Sequence, residues 1–269
     1  MGEIIMQIIR RCLENIFRDK TRKRHLPDMV GGAPFYASSA GGLRQLFYPM
    51  NTVDPDLFLT AKRLVKTGDI VWDIGTNVGL FTFSSAGLAG PSGKIFSFEP
   101  DTHLVGLLRK SAALQNKTSS EVSIIPSGIA GETGVRTFHI AKRSRASNSL
   151  ADYGNQQMGG TRQTQSIVCL SLDTALSLLP KPSVVKIDVE GAEVEILSAT
   201  KALFADVRPR LAVEAASPSR DNITQIFKQN DYHMFDANGS FVQGAEIDRA
   251  VWNTIAIPSE QLHFIPSAS

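Results

Sequence analysis

From Asp54 onward, apolar runs the length of single strands alternate with helical segments, and few folds accommodate that pattern. Asp54 can cap a helix with Pro55 in its first turn, and Gly68 can end it. Residues 70–74, 94–98 and 122–125 read as strands, with helices over 80–88 and 102–115 between them. After an interruption the alternation resumes with a strand at 183–187 and a helix at about 192–204. A strand at 210–213, a helix near 222–228 and strands at 232–235 and 251–257 follow. This order implies a mostly parallel sheet with helices on both faces. Asn238-Gly239 is a two-residue hairpin signal, so the last strand is expected to run antiparallel near the C-terminus. The predicted class is α/β, a doubly wound, Rossmann-like sheet whose ligands sit outside the carboxyl ends of the strands.

Residues 131–170 break the rhythm. Two strand-like runs, 135–140 and 166–170, flank a polar stretch rich in Ser, Asn, Gln and Gly, which reads as a lid-like insertion at about 142–165. At the other end of the chain, Ile4, Ile5, Ile8, Ile9, Cys12, Leu13, Ile16 and Phe17 fall on one helical stripe, with Arg10, Arg11 and Arg18 off it. Lys20, Arg22, Lys23 and Arg24 come next. Such a helix packs on its own domain, joins a second copy in a homo-oligomer, or lies on an anionic membrane, so residues 3–24 are the expected partner or peripheral membrane contact. The two Gly-Gly pairs between Gly31 and Gly42 read as an irregular connection. The expected organisation is residues 1–50 as helix plus connection, 51–258 as the α/β domain, and 259–269 as a tail.

Hydrophobic residues make up 42% of the chain and charged residues 20%, enough apolar material for a core around such a sheet. A net charge of +2 sets up no global field, and no nucleic-acid partner is expected. No apolar run reaches the roughly 18–20 residues that span a bilayer. The first residues also lack the cleavage site of a signal peptide. Cys12 and Cys169 have no metal-type or CxxC spacing and read as free thiols of a reducing compartment. A cytoplasmic address follows, with peripheral membrane contact as its variant.

The first strand ends in Asp73-Ile-Gly-Thr-Asn-Val-Gly79 and opens into a helix. Gly75 and Gly79 allow a tight turn and a close approach of ligand to backbone. Asp73 would repel a pyrophosphate but can accept hydrogen bonds from an amino-acid ammonium, directly or through water. The dinucleotide pattern G-x-G-x-x-G is missing, because Asn77 replaces its middle glycine. Glu99, at the end of the second strand, can accept both hydroxyls of a ribose. Together these acids favour a charged amino-acid nucleoside, S-adenosylmethionine, over a nicotinamide cofactor.

With these residues in view, the chain resembles the FkbM family of class I methyltransferases over about residues 68–258. The telling segment is Val185-Lys-Ile-Asp-Val-Glu-Gly-Ala-Glu193. Asp73-Ile-Gly-Thr-Asn-Val-Gly79, Phe98-Glu-Pro100, Asn148-Ser-Leu150, Leu172-Asp173, Ala212-Val-Glu214 and Trp252-Asn-Thr254 support it. The resemblance implies methyl transfer to a hydroxyl of a small-molecule acceptor, a sugar or a secondary metabolite. It maps Asp73, Gly75, Thr76, Asn77, Gly79, Glu99, Ser127 and Gly128 onto the cofactor. Thr76 departs from a common alanine but is small enough to fit. Asn148, Ser149 and Glu190 are assigned toward the acceptor.

Lys186 and Asp188 alternate on a strand and share a face, with Asp188 nearer the ligand end. Asp188 is the candidate general base, set against a role as helix cap. Glu214 completes a possible acidic pair with it, and the two are also the candidate ligands of Mg²⁺ or another hard divalent cation. Glu190 and Glu193 are expected to start the next helix and offset its dipole. The five histidines stand singly and suggest no metal site. Two other readings share the fold class: a nicotinamide-dependent oxidoreductase and a catalytically silent, membrane-associated binding protein.

Overall fold

The computed structural model describes residues 20–142, 144–153 and 160–267. The expected helix at 3–18 and Cys12 lie outside these residues. The chain opens instead with β1 (Thr21–His25) and β2 (Pro34–Ser38), an antiparallel ribbon in which Thr21 faces Ser38 and His25 faces Pro34. The expected irregular connection is therefore partly strand. Its Gly-Gly pair supplies the left-handed turn, with φ of 91° at Gly31 and 60° at Gly32. Phe35 and Ala37 are then buried at alternate positions, a period-two signal only five residues long.

A seven-stranded sheet forms the centre. It comprises β3 (Ile70–Ile74), β4 (Lys94–Phe98), β5 (Glu121–Ile125), β10 (Val184–Ile187), β11 (Arg210–Glu214), β12 (Tyr232–Asp236) and β13 (Asn253–Pro258). Their spatial order is β12-β13-β11-β10-β3-β4-β5. The pairs from β11 to β5 are parallel, and β13 runs antiparallel to both β11 and β12. The sheet is thus the doubly wound, mostly parallel one expected, with its antiparallel strand near the C-terminus.

Strand alternation feeds two faces. Val71, Ile95, Val184 and Ile255 pack with Ala61 and Leu64 of α1 (Pro55–Leu64) and Phe81 and Ala86 of α2 (Leu80–Ala89). On the same side, α3 (Thr102–Ala112) joins β2 through Phe35, Leu104 and Leu108. Trp72, Ile74, Val185 and Val213 face the other way. There they meet α4 (Leu172–Leu178), α5 (Glu193–Ala199) and α6 (Arg220–Gln229). Asp54 caps α1 by accepting from Leu57 N at 3.3 Å, as its position predicts.

The interruption after β5 is a second sheet of β6 (Gly128–Ile129), β7 (Gly134–Ala141), β8 (Ser149–Leu150) and β9 (Thr161–Leu170), in the order β6-β9-β7-β8. Phe138, Ile140, Leu150 and Ile167 bury its apolar side in the main core. The expected lid is therefore shorter than predicted, since 161–165 belong to β9.

Three further boundaries differ from expectation. Helix α5 stops at Ala199, where Thr200 turns its hydroxyl onto Asp173 Oδ1 at 2.6 Å, and a separate π-helical turn covers Leu203–Val207. Asn238-Gly239 does not form a two-residue hairpin. Neither residue has the positive φ that such a turn needs, and the chain bridges back only at Ile247, opposite Met234, before β13 begins at Asn253. Ser259–Phe264 is a 3₁₀ segment followed by buried Ile265, so the expected tail joins the core.

Candidate active site

The turn after β3 adopts left-handed backbone at Gly75 (φ 79°), Asn77 (φ 55°) and Gly79 (φ 90°). It is strapped to the end of β4, with Gly75 N and Thr76 N both donating to Phe98 O at 3.1 and 3.3 Å. The glycines serve close packing more than ligand approach. A Cβ at Gly75 would stand 1.7 Å from the Asp188 carbonyl oxygen, and one at Gly79 would stand 2.5 Å from the Phe83 ring. The first contact locks the turn against the end of β10, where Asp188 N donates to Ile74 O at 3.1 Å.

Asp73 is fully buried beneath this turn and lines neither cavity described below. Its Oδ2 accepts from Thr82 Oγ1 at 2.6 Å, and Thr82 in turn contacts Ser97 Oγ at 2.8 Å. Lys186 Nζ lies 3.7 Å from Oδ1, which has no hydrogen-bond partner. Burial pushes the Asp73 carboxyl above its usual range, and the Lys186 charge opposes that shift.

Glu99 lies at the end of β4 with both oxygens engaged. Oε2 accepts from Asn77 N at 2.8 Å and Oε1 from Asp101 N at 2.9 Å. Burial outweighs both amide bonds and pushes its carboxyl to about 8. Asp101 caps α3 through His103 N and also takes Arg145 and Asn148 Nδ2, the latter at 2.9 Å. Asn148 Oδ1 accepts from Ala141 N at 2.9 Å, so this buried side chain ties β7 to the start of α3. Ser149 is buried within β8 and lines neither cavity.

Two adjoining cavities open at the carboxyl ends of the strands. The smaller, about 60 Å³, is lined by Glu99, Pro100, Gly128, Ile129, Phe138 and Asn148 among others. The larger, about 350 Å³, is lined by Gln45, Asp54, Thr76, Lys186, Glu214 and Trp252 among others. Gly75, Asn77, Ala146, Asp188 and Glu190 line both. Ser127, beside the smaller cavity, is buried with an unpartnered Oγ.

Lys186 donates to Asp188 Oδ2 at 2.9 Å, which puts both side chains on one face as the alternation requires. Burial lowers the Lys186 pKa, but Asp188 and Asp73 together overcome this and hold it above its ordinary value. Glu214 is pushed up to about 8, first by burial and then by the charge of Asp188. The cap of α5 is Ala192, not Asp188. Glu193 starts that helix and its Oε1 accepts from Val189 N and Gly191 N at 3.1 and 3.2 Å. Glu190 does not start it. It precedes the helix in left-handed conformation (φ 57°) and borders both cavities.

Sequence reasoning passed over Gln45, Lys186 and Trp252 as site residues and read Asp54 only as a cap. Trp252-Asn-Thr254 was visible as a matching element, whereas Gln45 carried no signal because the turn Arg44–Phe47 was not foreseen. Among the described residues no group of three His, Cys, Asp or Glu is placed to hold a metal ion. None of their helices is long and apolar enough to cross a membrane. Cys169 is a buried free thiol whose pKa burial raises to about 11.

Comparison with known proteins places these features. Residues 73–234 match the Methyltransferase FkbM domain. Over 133 residues, 48% of each chain, the sequence is 29% identical to the hexuronic acid methyltransferase AglP of Haloferax volcanii. The match therefore spans about half the length of that relative. Among solved structures, a methyltransferase FkbM from Methylobacillus flagellatus KT is similar at TM-score 0.45 and 14% identity, over 75% of this chain and 57% of that one. A precorrin-6y C5,15-methyltransferase from Geobacter metallireducens is similar at TM-score 0.43 and 16% identity, over 76% and 86%. The family match covers more than half of the chain and sets the nicotinamide reading aside: the protein belongs to the FkbM family of S-adenosylmethionine-dependent methyltransferases.

Proposed function

We propose that the chain methylates a hydroxyl of a sugar, with Asp188 and Glu214 accepting the proton that the hydroxyl loses. One observation carries this reading: the two cavities meet at Gly75, Asn77, Asp188 and Glu190, with Glu99 on one side and Glu214 on the other. A nucleoside in the smaller cavity would thus point its reactive end toward the two acids.

The residues present fit the cofactor. Glu99 can accept ribose hydroxyls on lone pairs left over from its two amide contacts. The buried oxygens Asn77 Oδ1 and Ser127 Oγ have no hydrogen-bond partner in the protein. Groups of that kind are satisfied by ligand or water in a working site. S-adenosylmethionine supplies an electrophilic methyl group on a sulfonium.

The protein's own work is alignment and proton removal. Alignment lowers the barrier by holding the acceptor oxygen in line with the methyl carbon. With the cofactor bound to supply the methyl group, the acceptor hydroxyl would give up its proton to the acidic pair, Asp188 and Glu214. Lys186 donates to Asp188 and fixes its carboxylate in place, and Glu214 has an affinity for protons suited to near-neutral pH. The relative's action on a hexuronic acid supports a sugar as the acceptor class. The test is incubation with methyl-labelled cofactor and a panel of saccharides, followed by product analysis. A label found only on nitrogen or carbon overturns O-methylation. Cofactor binding with no turnover on any acceptor favours the silent binding protein.

A further inference from the structure

The larger cavity is asymmetric in its chemistry. Asp54, Asp188, Glu190 and Glu214 line it, whereas Lys186 is its only cation among the described residues and no arginine or histidine is present. That lysine is already committed to Asp188 and Asp73. Two further side chains on the lining present unpartnered, buried oxygens, Gln45 Oε1 and Asn77 Oδ1. Gln45 itself is only 5% exposed.

A ligand carboxylate is recognised by arginine, lysine or free amide donors. Among the described residues the wall holds no arginine and no uncommitted lysine, and its amides, Gln45, Asn77 and Asn253, are neutral groups that suit hydroxyls. Burial first, and then the charge of Asp188, hold the Glu214 carboxyl in its protonated form up to about 8, so a ligand carboxylate brought there loses water and meets the Asp188 charge as well. Trp252 also lines the cavity and is 50% exposed, a large apolar surface beside a polar wall. Aromatic faces of this kind bind the C–H face of a pyranose while the wall takes its hydroxyls.

Resting on the sugar reading above, we propose that the acceptor is a neutral or amino-bearing pyranose seated on Trp252 with its hydroxyls toward Gln45 and the acids, and that a uronic acid is rejected. The hexuronic acid named for the relative is therefore not carried over to this chain. Acceptor choice is set here by four carboxyls on the cavity wall and by a single cation there, among the described residues, that is already paired.

The chain has two tryptophans, and Trp72 is fully buried, so quenching of emission by added sugar reports on Trp252. The probes are methyl glucoside, methyl glucosaminide and methyl glucuronide, each titrated into the full chain with S-adenosylhomocysteine present. Saturable quenching by the first two is expected, with the glucuronide weaker by about tenfold or more, the scale of an unpaired like-charge contact. In calorimetry, Trp252→Phe should keep most of the affinity and Trp252→Ala should lose about tenfold. Glucuronide binding as tight as the glucoside overturns the selectivity and leaves the sugar reading standing. If none of the three binds, the sugar reading falls, and the proposal falls with it. Equal affinity in wild type and Trp252→Ala, with the variant folded by circular dichroism, overturns the stacking role alone.

Discussion

Replacing Lys186 with methionine keeps most of the side chain's volume and removes its charge. The ammonium lies 2.9 Å from Asp188 Oδ2 and 3.7 Å from Asp73 Oδ1. At an effective dielectric of about 20, these separations give gross attractions of roughly 6 and 4.5 kcal/mol. Desolvation cancels much of this, and stripping one partner from a buried pair costs about 3–5 kcal/mol. Asp73 can relax by taking a proton, and Asp188 is partly open to water, which places the loss near the lower end, about 3 kcal/mol. For a chain of this size that is a fall in Tm of roughly 6–12 °C, read by thermal circular dichroism. The second readout is kinetic. Lys186 lowers the pKa of Glu214, so its removal should move the rising limb of kcat/KM to higher pH. A variant that melts within about 2 °C of wild type and keeps its pH profile would refute the ion-pair reasoning.

In the wild type, the rising limb of kcat/KM should lie near 8, because Glu214 must lose its proton before it can accept another; a flat profile from pH 6 to 9 excludes it. Asp188→Asn should cut turnover by about 10²-fold or more with cofactor affinity barely moved, and chelation then separates a base from a Mg²⁺ site by whether wild-type activity survives. Glu99→Ala should weaken cofactor binding in calorimetry by about tenfold, the loss of a buried hydrogen bond, and unchanged affinity would remove Glu99 from the ribose site. Glu99 also leaves a stability signature. Its folded pKa of about 8 lies above the ordinary 4.5, so its contribution is full below 4.5 and is lost as pH rises through 8. The stability gap between wild type and Glu99→Gln in urea should therefore shift against wild type from pH 5 to pH 9, and a constant gap contradicts the burial argument.

The central sheet was legible because its strands are short, largely apolar runs of four to six residues whose apolar side chains feed cores on the two faces. The cofactor turn was legible because only glycine or asparagine sits easily at the φ values found at 75, 77 and 79. What the glycines are for was not. The Asp188 carbonyl fills the space beside Gly75, and that contact joins residues 113 positions apart. The β1–β2 ribbon was missed because five residues hold too short a period, and its reason for folding lies in α3, where Ser111 Oγ accepts from Tyr36 N at 2.9 Å. Asn148 was read as facing the acceptor because its motif is visible and its partners are not. Asp101 and Ala141 engage its side chain from either end.

On the proposed reaction, the charge balance of the site acquires a direction. Asp73, Glu99, Asp188, Glu190 and Glu214 gather at the ends of adjacent strands, and Lys186 pairs with two of them, Asp73 and Asp188. Burial raises the Glu99 and Glu214 carboxyls to about 8, with the charges of neighbouring carboxylates adding to the shift. A sulfonium brought among them is a counter-charge and eases that crowding. Transfer of the methyl group leaves a neutral thioether and delivers a proton to the acids, so negative charge on the wall and positive charge on the ligand vanish together. The substrate-bound and product-bound sites therefore carry the same net charge, and neither state leaves an uncompensated buried ion, the most costly feature a site of this burial could contain. An acceptor bringing its own carboxylate would add a negative charge that this exchange does not compensate.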